Sequence, residues 1–461
     1  MRRTLVSMVL ALFCGAAAAQ QEISFWHSMG GALGKELDAL VQRFNDSQKD
    51  FRVVPELKGS YEDVMIGALA AQRAGNGPDI VQIYEVGTGH MMAAKSAVRP
   101  VWQVLAEYGE KADPGFLPAV AGYFSDGTGK LLALPFNIST PILFYNKDAF
   151  RKAGLDPEKA PDTWYQMPKA MGALLNSGMS CAFTTDWPAW IQVENMSVWH
   201  DQEFATRENG MLGLDTKLVF NSHLMMRHVS FLASWAVAGY FTYSGRRLEG
   251  ERRFARGECA MVTAASSSYA DLRSEAKFDF GAARLPYYDD IRGAPRHTLI
   301  GGAALWTMAG KKPAEYRGVA RFLAWLTRPE VQAEWHQRTG YVPVTQAAYE
   351  QTQRSGFYKA NPGYEIAIRQ LLLVHPTRES RGIRLGPFPE IRAILEEELE
   401  GVWDGKVPPK LALDRAAERG DALLRKFESE HRDGAEPGVP HRVPRGPADT
   451  RRGPQDAPAK K

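Results

Sequence analysis

The sequence predicts an α/β chain of two lobes, the first built on a largely parallel sheet, and three observations carry that reading. Strand-like and helix-like segments alternate from residue 22 to residue 84. Strand-like runs and amphipathic helices return after residue 278, and 461 residues suffice for two or three domains. Composition agrees: 44% hydrophobic and 24% charged residues exclude a disordered, collagen-like or polytopic membrane chain. The net charge of +3 is an effect of the ends, because Arg2 and Arg3 carry two positives and residues 431–461 hold seven Lys/Arg against four Asp/Glu. Residues 20–430 are therefore close to −2, which gives nucleic acid no electrostatic footing.

Taken in order, residues 1–19 read as a secretory signal peptide: Arg2 and Arg3, a short apolar run from Leu5 to Phe13, then small residues at Ala17-Ala18-Ala19. The run is too short for a membrane anchor, which needs about 20 apolar residues. Cys14 follows Phe13, a poor fit to the small residue that lipid-anchor processing prefers. Glu22-Ile-Ser-Phe-Trp26 reads as a strand, and Leu33, Leu37, Leu40, Val41 and Phe44 recur at helical spacing. Residues 51–57 read as a second strand, 61–73 as a helix and 79–84 as a third strand. Residues 131–145 are extended but broken by Pro135 and Pro141, which suits a connecting ribbon more than a central strand. A helical region is expected through about residue 275, then strands near 278–286 and 298–308. A helix over 316–327 carries Val319, Phe322, Leu323 and Leu326 on one face and is ended by Pro329. Further helices are expected at 362–373, 389–403 and 410–428. Residues 431–461, with six Pro and four Gly and no aromatic, Leu, Ile or Met, read as a disordered tail.

Catalytic motifs are missing. The chain has no G-x-S-x-G elbow, H-E-x-x-H pair, Walker-type loop or G-x-G-x-x-G after a strand. Gly127-Thr-Gly-Lys130 lacks phosphate-loop spacing and reads as a surface turn, and His27 reads as a structural hydrogen-bonder. Beyond the signal segment only Cys181 and Cys259 remain; a disulfide and a free buried pair are both open, and a structural zinc site is disfavoured. No cofactor or metal is called for. What remains is polar and aromatic residues at element ends: Tyr61 starting a helix, Glu85 after a strand, Ser139 on the ribbon, Trp187 and Trp190 around a proline, Gly301-Gly302 in an apolar run, Tyr341 in a turn, and Arg392 starting a helix over 391–403.

Several segments then resemble a known family. Phe25-Trp-His-Ser-Met29, Gln82-Ile-Tyr-Glu-Val-Gly-Thr88, Pro135-Phe-Asn-Ile-Ser-Thr-Pro141, Trp335-His-Gln-Arg-Thr-Gly-Tyr341 and Arg384-Leu-Gly386 are similar to the glycerophosphate branch of the extracellular solute-binding proteins of bacterial ABC importers. Ala153-Gly-Leu-Asp-Pro157 shares the likeness and Asp186-Trp-Pro-Ala-Trp190 points to the same branch, whereas Tyr145-Asn-Lys-Asp-Ala-Phe150 and Phe254…Gly257-Glu-Cys-Ala-Met261 belong to the wider family. The likeness covers residues 22–428.

The resemblance implies a type II periplasmic-binding-protein fold with a ligand cleft between lobes joined by a multi-strand hinge. Lobe 1 would comprise 20–137 and 298–340, and lobe 2 138–297 and 341–430. It implies a periplasmic binder of sn-glycerol-3-phosphate, with glycerophosphodiesters such as glycerophosphocholine as second ligands. Its partners would be an inner-membrane ABC permease with ATPase subunits. The implied ligand contacts are Tyr61, Glu85, Ser139, Trp187, Trp190, Gly302, Tyr341 and Arg392. Where the family places a Ser, this chain has Ala265 followed by Ser266, so Ser266 is the expected substitute. Residue chemistry assigns Arg392 to the phosphate and Glu85 to the glycerol hydroxyls, with the two Trp rings against glycerol carbons or a quaternary ammonium. A single cleft acid favours phosphate over the alternative, an oligosaccharide ligand. A secreted glycerophosphodiester hydrolase would need a metal cluster or an acid–base pair, and neither is visible in the sequence.

Overall fold

A computed structural model describes residues 20–112 and 115–432. The expected signal peptide, Cys14 and the tail beyond Arg432 lie outside the described residues. The first lobe is built on six strands: β1 (Gln21–His27), β2 (Phe51–Leu57), β3 (Ile80–Tyr84), β4 (Val98–Arg99), β5 (Leu134–Ser139) and β10 (Gly301–Met308). Their order is β2-β1-β3-β10-β4, with β5 also paired to β10. The first three strands are parallel, and β10 runs antiparallel to its neighbours. Helices α1 (Gly31–Ser47) and α2 (Tyr61–Arg73) make the crossovers. The predicted stripe Leu37, Leu40, Val41 and Phe44 is buried, and Phe44 meets Phe322 edge-on at 4.9 Å. The predicted helix around 316–327 spans Pro313–Leu326, and Pro329 opens a second helix, Pro329–Thr339, instead of merely ending the first. Proline at the first helical position costs nothing, since that N–H has no helical partner.

The second sheet has the order β7-β8-β6-β9, from β6 (Pro141–Asn146), β7 (Cys181–Thr185), β8 (Cys259–Ala265) and β9 (Phe280–Ala283). Two expectations are corrected here. The stretch 131–145, expected as a connecting ribbon and not as central strand, contains two fully buried strands, Leu134–Ser139 and Pro141–Asn146, one in each sheet, joined through Thr140 alone. Its prolines are tolerated because Pro135 sits at the register break in the β5–β10 pair and Pro141 is the first residue of β6. The region read as helical through 275 also contains β7 and β8, whose runs Cys-Ala-Phe-Thr-Thr and Cys-Ala-Met-Val-Thr-Ala-Ala are buried on both faces and show no alternation. Cys181 and Cys259 face each other at the start of the β7–β8 pair and form a disulfide.

At the crossing between the sheets a buried polar clasp holds the chain. The Thr140 and Thr298 hydroxyls bond each other, and the Gln370 amide donates to Thr140 Oγ1 at 3.1 Å, Thr298 Oγ1 at 3.2 Å and the Pro141 carbonyl at 2.8 Å. The predicted helices at 362–373, 389–403 and 410–428 appear as Pro362–Leu371, Phe388–Trp403 and Pro409–His431. Among the described residues no helix is long and apolar enough to cross a membrane.

Candidate functional site

Two chemically distinct groups of side chains meet where β5 and β10 face the second sheet. The first is a set of neutral hydrogen-bonding groups. Ser60 caps α2 in a reciprocal box with Asp63, which sets Tyr61 at the first helical position. The Tyr61 ring stacks on Tyr84 at 5.3 Å, and its hydroxyl accepts from Asn137 Nδ2 at 3.1 Å. Asn137 Oδ1 in turn accepts from Gln82 Nε2 at 2.9 Å, and Gln82 Oε1 accepts from the Ser28 amide at 2.8 Å. The buried Tyr341 phenol lies beside the side chains of Asn137 and Ser267. Ser139 pairs with Gly301 and Ile138 with Gly302, and the Val342 amide donates to the Ile138 carbonyl at 2.8 Å. Ser266 donates its amide to the Thr140 carbonyl at 2.9 Å, which puts its buried hydroxyl beside the same crossing. Burial raises the Tyr61 hydroxyl to about 12 and pushes Tyr341 up as well, so both stay neutral donors.

The second group is a buried charge cluster. Arg392 donates to Glu194 Oε1 at 2.7 Å and Oε2 at 2.6 Å, and to Glu85 Oε1 at 2.8 Å. All three side chains are almost inaccessible. Glu85 lies just past β3, Glu194 in a π-helical turn Trp190–Asn195, and Arg392 one turn inside the helix Phe388–Trp403, not at its start. Burial raises the Glu85 carboxyl above its ordinary value, opposed by Arg392. One turn on, Glu396 is buried and raised by burial to about 7, against the pull of Arg247 and Arg392. Glu62 and Arg247 complete the cluster, bonded at 2.9 Å.

Two expectations change accordingly. Glu85 is not a lone acid: Glu62, Glu85, Glu194 and Glu396 all gather around Arg392 and Arg247. Nor is Arg392 free to serve a phosphate alone, since its guanidinium is already shared by two carboxylates. The tryptophans also divide. Trp190 is buried against Gly301, where an added Cβ would meet its indole at 2.4 Å, whereas Trp187 is partly exposed, in a left-handed backbone conformation with φ 43°. His27 is a structural hydrogen-bonder as expected, accepting from the Met29 amide at 3.2 Å, and Gly127–Lys130 is an exposed turn around Asp126.

Sequence reasoning missed Asn137, Gln82, Tyr84, Glu62, Glu194, Arg247 and Glu396. Two signals were available. Glu396 follows Arg392 at i+4, the spacing of a helical ion pair. Glu194 and Gln192 interrupt an apolar run directly after Trp190, where a buried charge demands a partner. Two further polar atoms, the Tyr84 hydroxyl and the Trp190 indole N–H, are buried with no protein hydrogen-bond partner. Among the described residues no three His, Cys, Asp or Glu side chains are placed to hold a metal ion.

Comparison with known proteins gives a consistent picture. Residues 39–366 match the family model described as bacterial extracellular solute-binding protein. The chain is 50% identical over 429 residues to the sn-glycerol-3-phosphate-binding periplasmic protein UgpB of Pectobacterium atrosepticum, covering 93% of this chain and 96% of that one. It is 49% identical over 428 residues to the protein of the same name from Yersinia pseudotuberculosis, covering 92% and 97%. Among solved structures, UgpB of Mycobacterium tuberculosis in complex with glycerophosphocholine superposes with a TM-score of 0.75 at 22% identity, covering 88% of this chain and 99% of that one. The cyclic alpha-maltosyl-1,6-maltose binding protein of Arthrobacter globiformis gives 0.70 at 21%, covering 88% and 100%. The structural likenesses establish a shared two-lobe fold.

Proposed function

This chain belongs to the bacterial extracellular solute-binding proteins, and from that premise we propose that it is the periplasmic component of an ABC importer that captures sn-glycerol-3-phosphate, and glycerophosphodiesters such as glycerophosphocholine, between its lobes. Half-identity along nearly the whole chain to relatives named for sn-glycerol-3-phosphate supports the ligand class. The observation that carries the reading is the pair of neighbouring chemistries: a cradle of neutral donors beside a cluster of buried acids.

An anionic phosphate suits the cradle. The Tyr61 and Tyr341 phenols, the Ser139 and Ser266 hydroxyls and the amide of Gly302 can each donate to a phosphate oxygen without bringing a carboxylate along. Trp190 covers this end, and its unpartnered N–H, like the Tyr84 hydroxyl, would find an acceptor on a bound polar molecule. Glycerol hydroxyls suit the other end, where Glu85 accepts and Arg392 holds Glu85 and Glu194 in position. Arg392 then acts on the phosphate through its field and through the orientation of Glu85.

Binding is closure, not catalysis. With lobe 1 taken as 20–137 and 298–340 and lobe 2 as 138–297 and 341–430, Glu85, Tyr61 and Gly302 lie on one side and Trp190, Ser266 and Arg392 on the other. Only the closed arrangement satisfies them together, so ligand shifts the population toward it. The closed protein would dock on an inner-membrane permease whose ATPase subunits power import, after export directed by residues 1–19. Glycerophosphocholine incubated with the purified protein should be recovered intact; release of free choline or glycerol-3-phosphate would replace the binder with a hydrolase. An oligosaccharide ligand is the second reading, favoured by the four acids and by the fold shared with a maltosyl-maltose binder.

A further inference from the structure

Beside the buried charge cluster, a cation of the protein's own sits between an aromatic ring and two carboxylates. The Arg247 guanidinium lies 4.8 Å over the Trp187 ring, donates to Glu62 Oε1 at 2.9 Å and to Glu396 Oε1 at 3.3 Å. An aromatic face flanked by carboxylates is the chemistry that recognises an alkylammonium group. The box is reachable: the Arg247 and Glu62 side chains are 39% and 36% exposed, while Glu396, at 2%, forms its floor.

We propose that Arg247 is a specificity gate: its guanidinium fills the alkylammonium box as an internal cation, and a glycerophosphodiester bearing a quaternary ammonium must displace it, whereas glycerol-3-phosphate leaves it in place. This rests on the proposed glycerophosphate function and deepens it. Local anchoring supports a gate that moves by side-chain rotation alone. The Arg247 amide is held by Glu249 Oε2 at 2.8 Å, and its carbonyl accepts from the Trp187 amide at 3.4 Å, so the backbone is tied to the loop that carries the ring. The neighbouring Arg246 cannot take over, because it is bonded through Nε at 2.8 Å and through its terminal nitrogen to Glu400. Arg247 also links α2 to the opposite side of the cleft through Glu62, so displacing it exchanges one cross-cleft cation for another.

Removing the guanidinium has opposite effects on the two ligand types. The uncompensated acids repel a phosphate dianion and attract a quaternary ammonium. Isothermal titration of wild type, Arg247→Met, Arg247→Gln and Arg247→Lys with glycerol-3-phosphate and glycerophosphocholine tests this. The ratio of the two dissociation constants should move toward glycerophosphocholine by roughly tenfold or more in the Met and Gln variants. It should stay near the wild-type value in the Lys variant, which keeps a cation. A loss of the cross-cleft link alone would weaken both ligands in parallel and leave the ratio unchanged; that result, or a shift toward glycerol-3-phosphate, overturns the gate. Wild-type protein that binds neither ligand overturns the functional reading instead.

Discussion

Arg392→Ala is expected to lose glycerophosphate binding and to lower the stability of the fold by about 3–5 kcal/mol. Among the described residues the guanidinium is the only side chain hydrogen-bonded to the Glu85 and Glu194 carboxylates, and both carboxylates are buried. Deleting it leaves two charges in a low-dielectric site; each must be protonated, hydrated or moved, and none of these preserves the geometry at the glycerol end. Bare carboxylates beside the cleft would also repel an anionic ligand. The double variant Glu194→Gln, Arg392→Ala should recover part of the stability and none of the binding, which separates the two roles. Urea unfolding reads the first effect and calorimetric titration the second. An Arg392→Ala protein with near-normal affinity would mean that the charge cluster lies apart from the ligand.

Gly302→Ala is the other substitution with a large expected effect. Gly302 has φ 92°, in the left-handed region that side chains rarely adopt, and an added Cβ would lie 1.9 Å from the Asn137 carbonyl oxygen. The obstacle is backbone, so no rotamer relieves it; β5 must separate from β10 where Gly302 pairs with Ile138. A stability loss of about 4 kcal/mol or more is expected, together with loss of the Ser139 and Asn137 positions. Gly301→Ala provides the contrast. There the added Cβ meets the Trp190 indole at 2.4 Å, a side chain that can yield, so ligand binding should fall with a smaller loss of stability. Wild-type stability in Gly302→Ala would show that β5 and β10 do not hold the cradle together.

Much of this architecture is legible in the chain. The 3.6-residue stripe on α1 and the alternation of strands and helices through Tyr84 mark the first sheet, because one face of each element is buried and the other is not. The second sheet is hard to read for the opposite reason. With both faces covered, β7 and β8 show no period, and their Ala, Met and Thr residues fit a helix as well as a strand. Prolines at 135 and 141 argue against strands only if their place at a bulge and at a strand start is unknown. At the site, residues next to glycine or at element ends, such as Tyr61, Gly302 and Tyr341, could be singled out by local chemistry. Glu85 and Arg392 stand out singly in the same way, but their union with Glu194 and Arg247 does not, because the four come from separate stretches of chain. Arg384, part of a segment that carried the family likeness, is a structural pin: its guanidinium donates to the carbonyls of Tyr123 and Ser125 at 2.5 and 3.0 Å, and burial lowers its pKa to about 10.

The central claim is that the neutral cradle and the acidic cluster together select a glycerophosphate. The most direct measurement is isothermal titration of the purified protein with glycerol-3-phosphate, glycerophosphocholine and maltose in parallel. Saturable heat with a glycerophosphate and none with maltose is the predicted result. Saturable maltose binding with both phosphates silent would contradict it, leaving the fold in place with a different cargo.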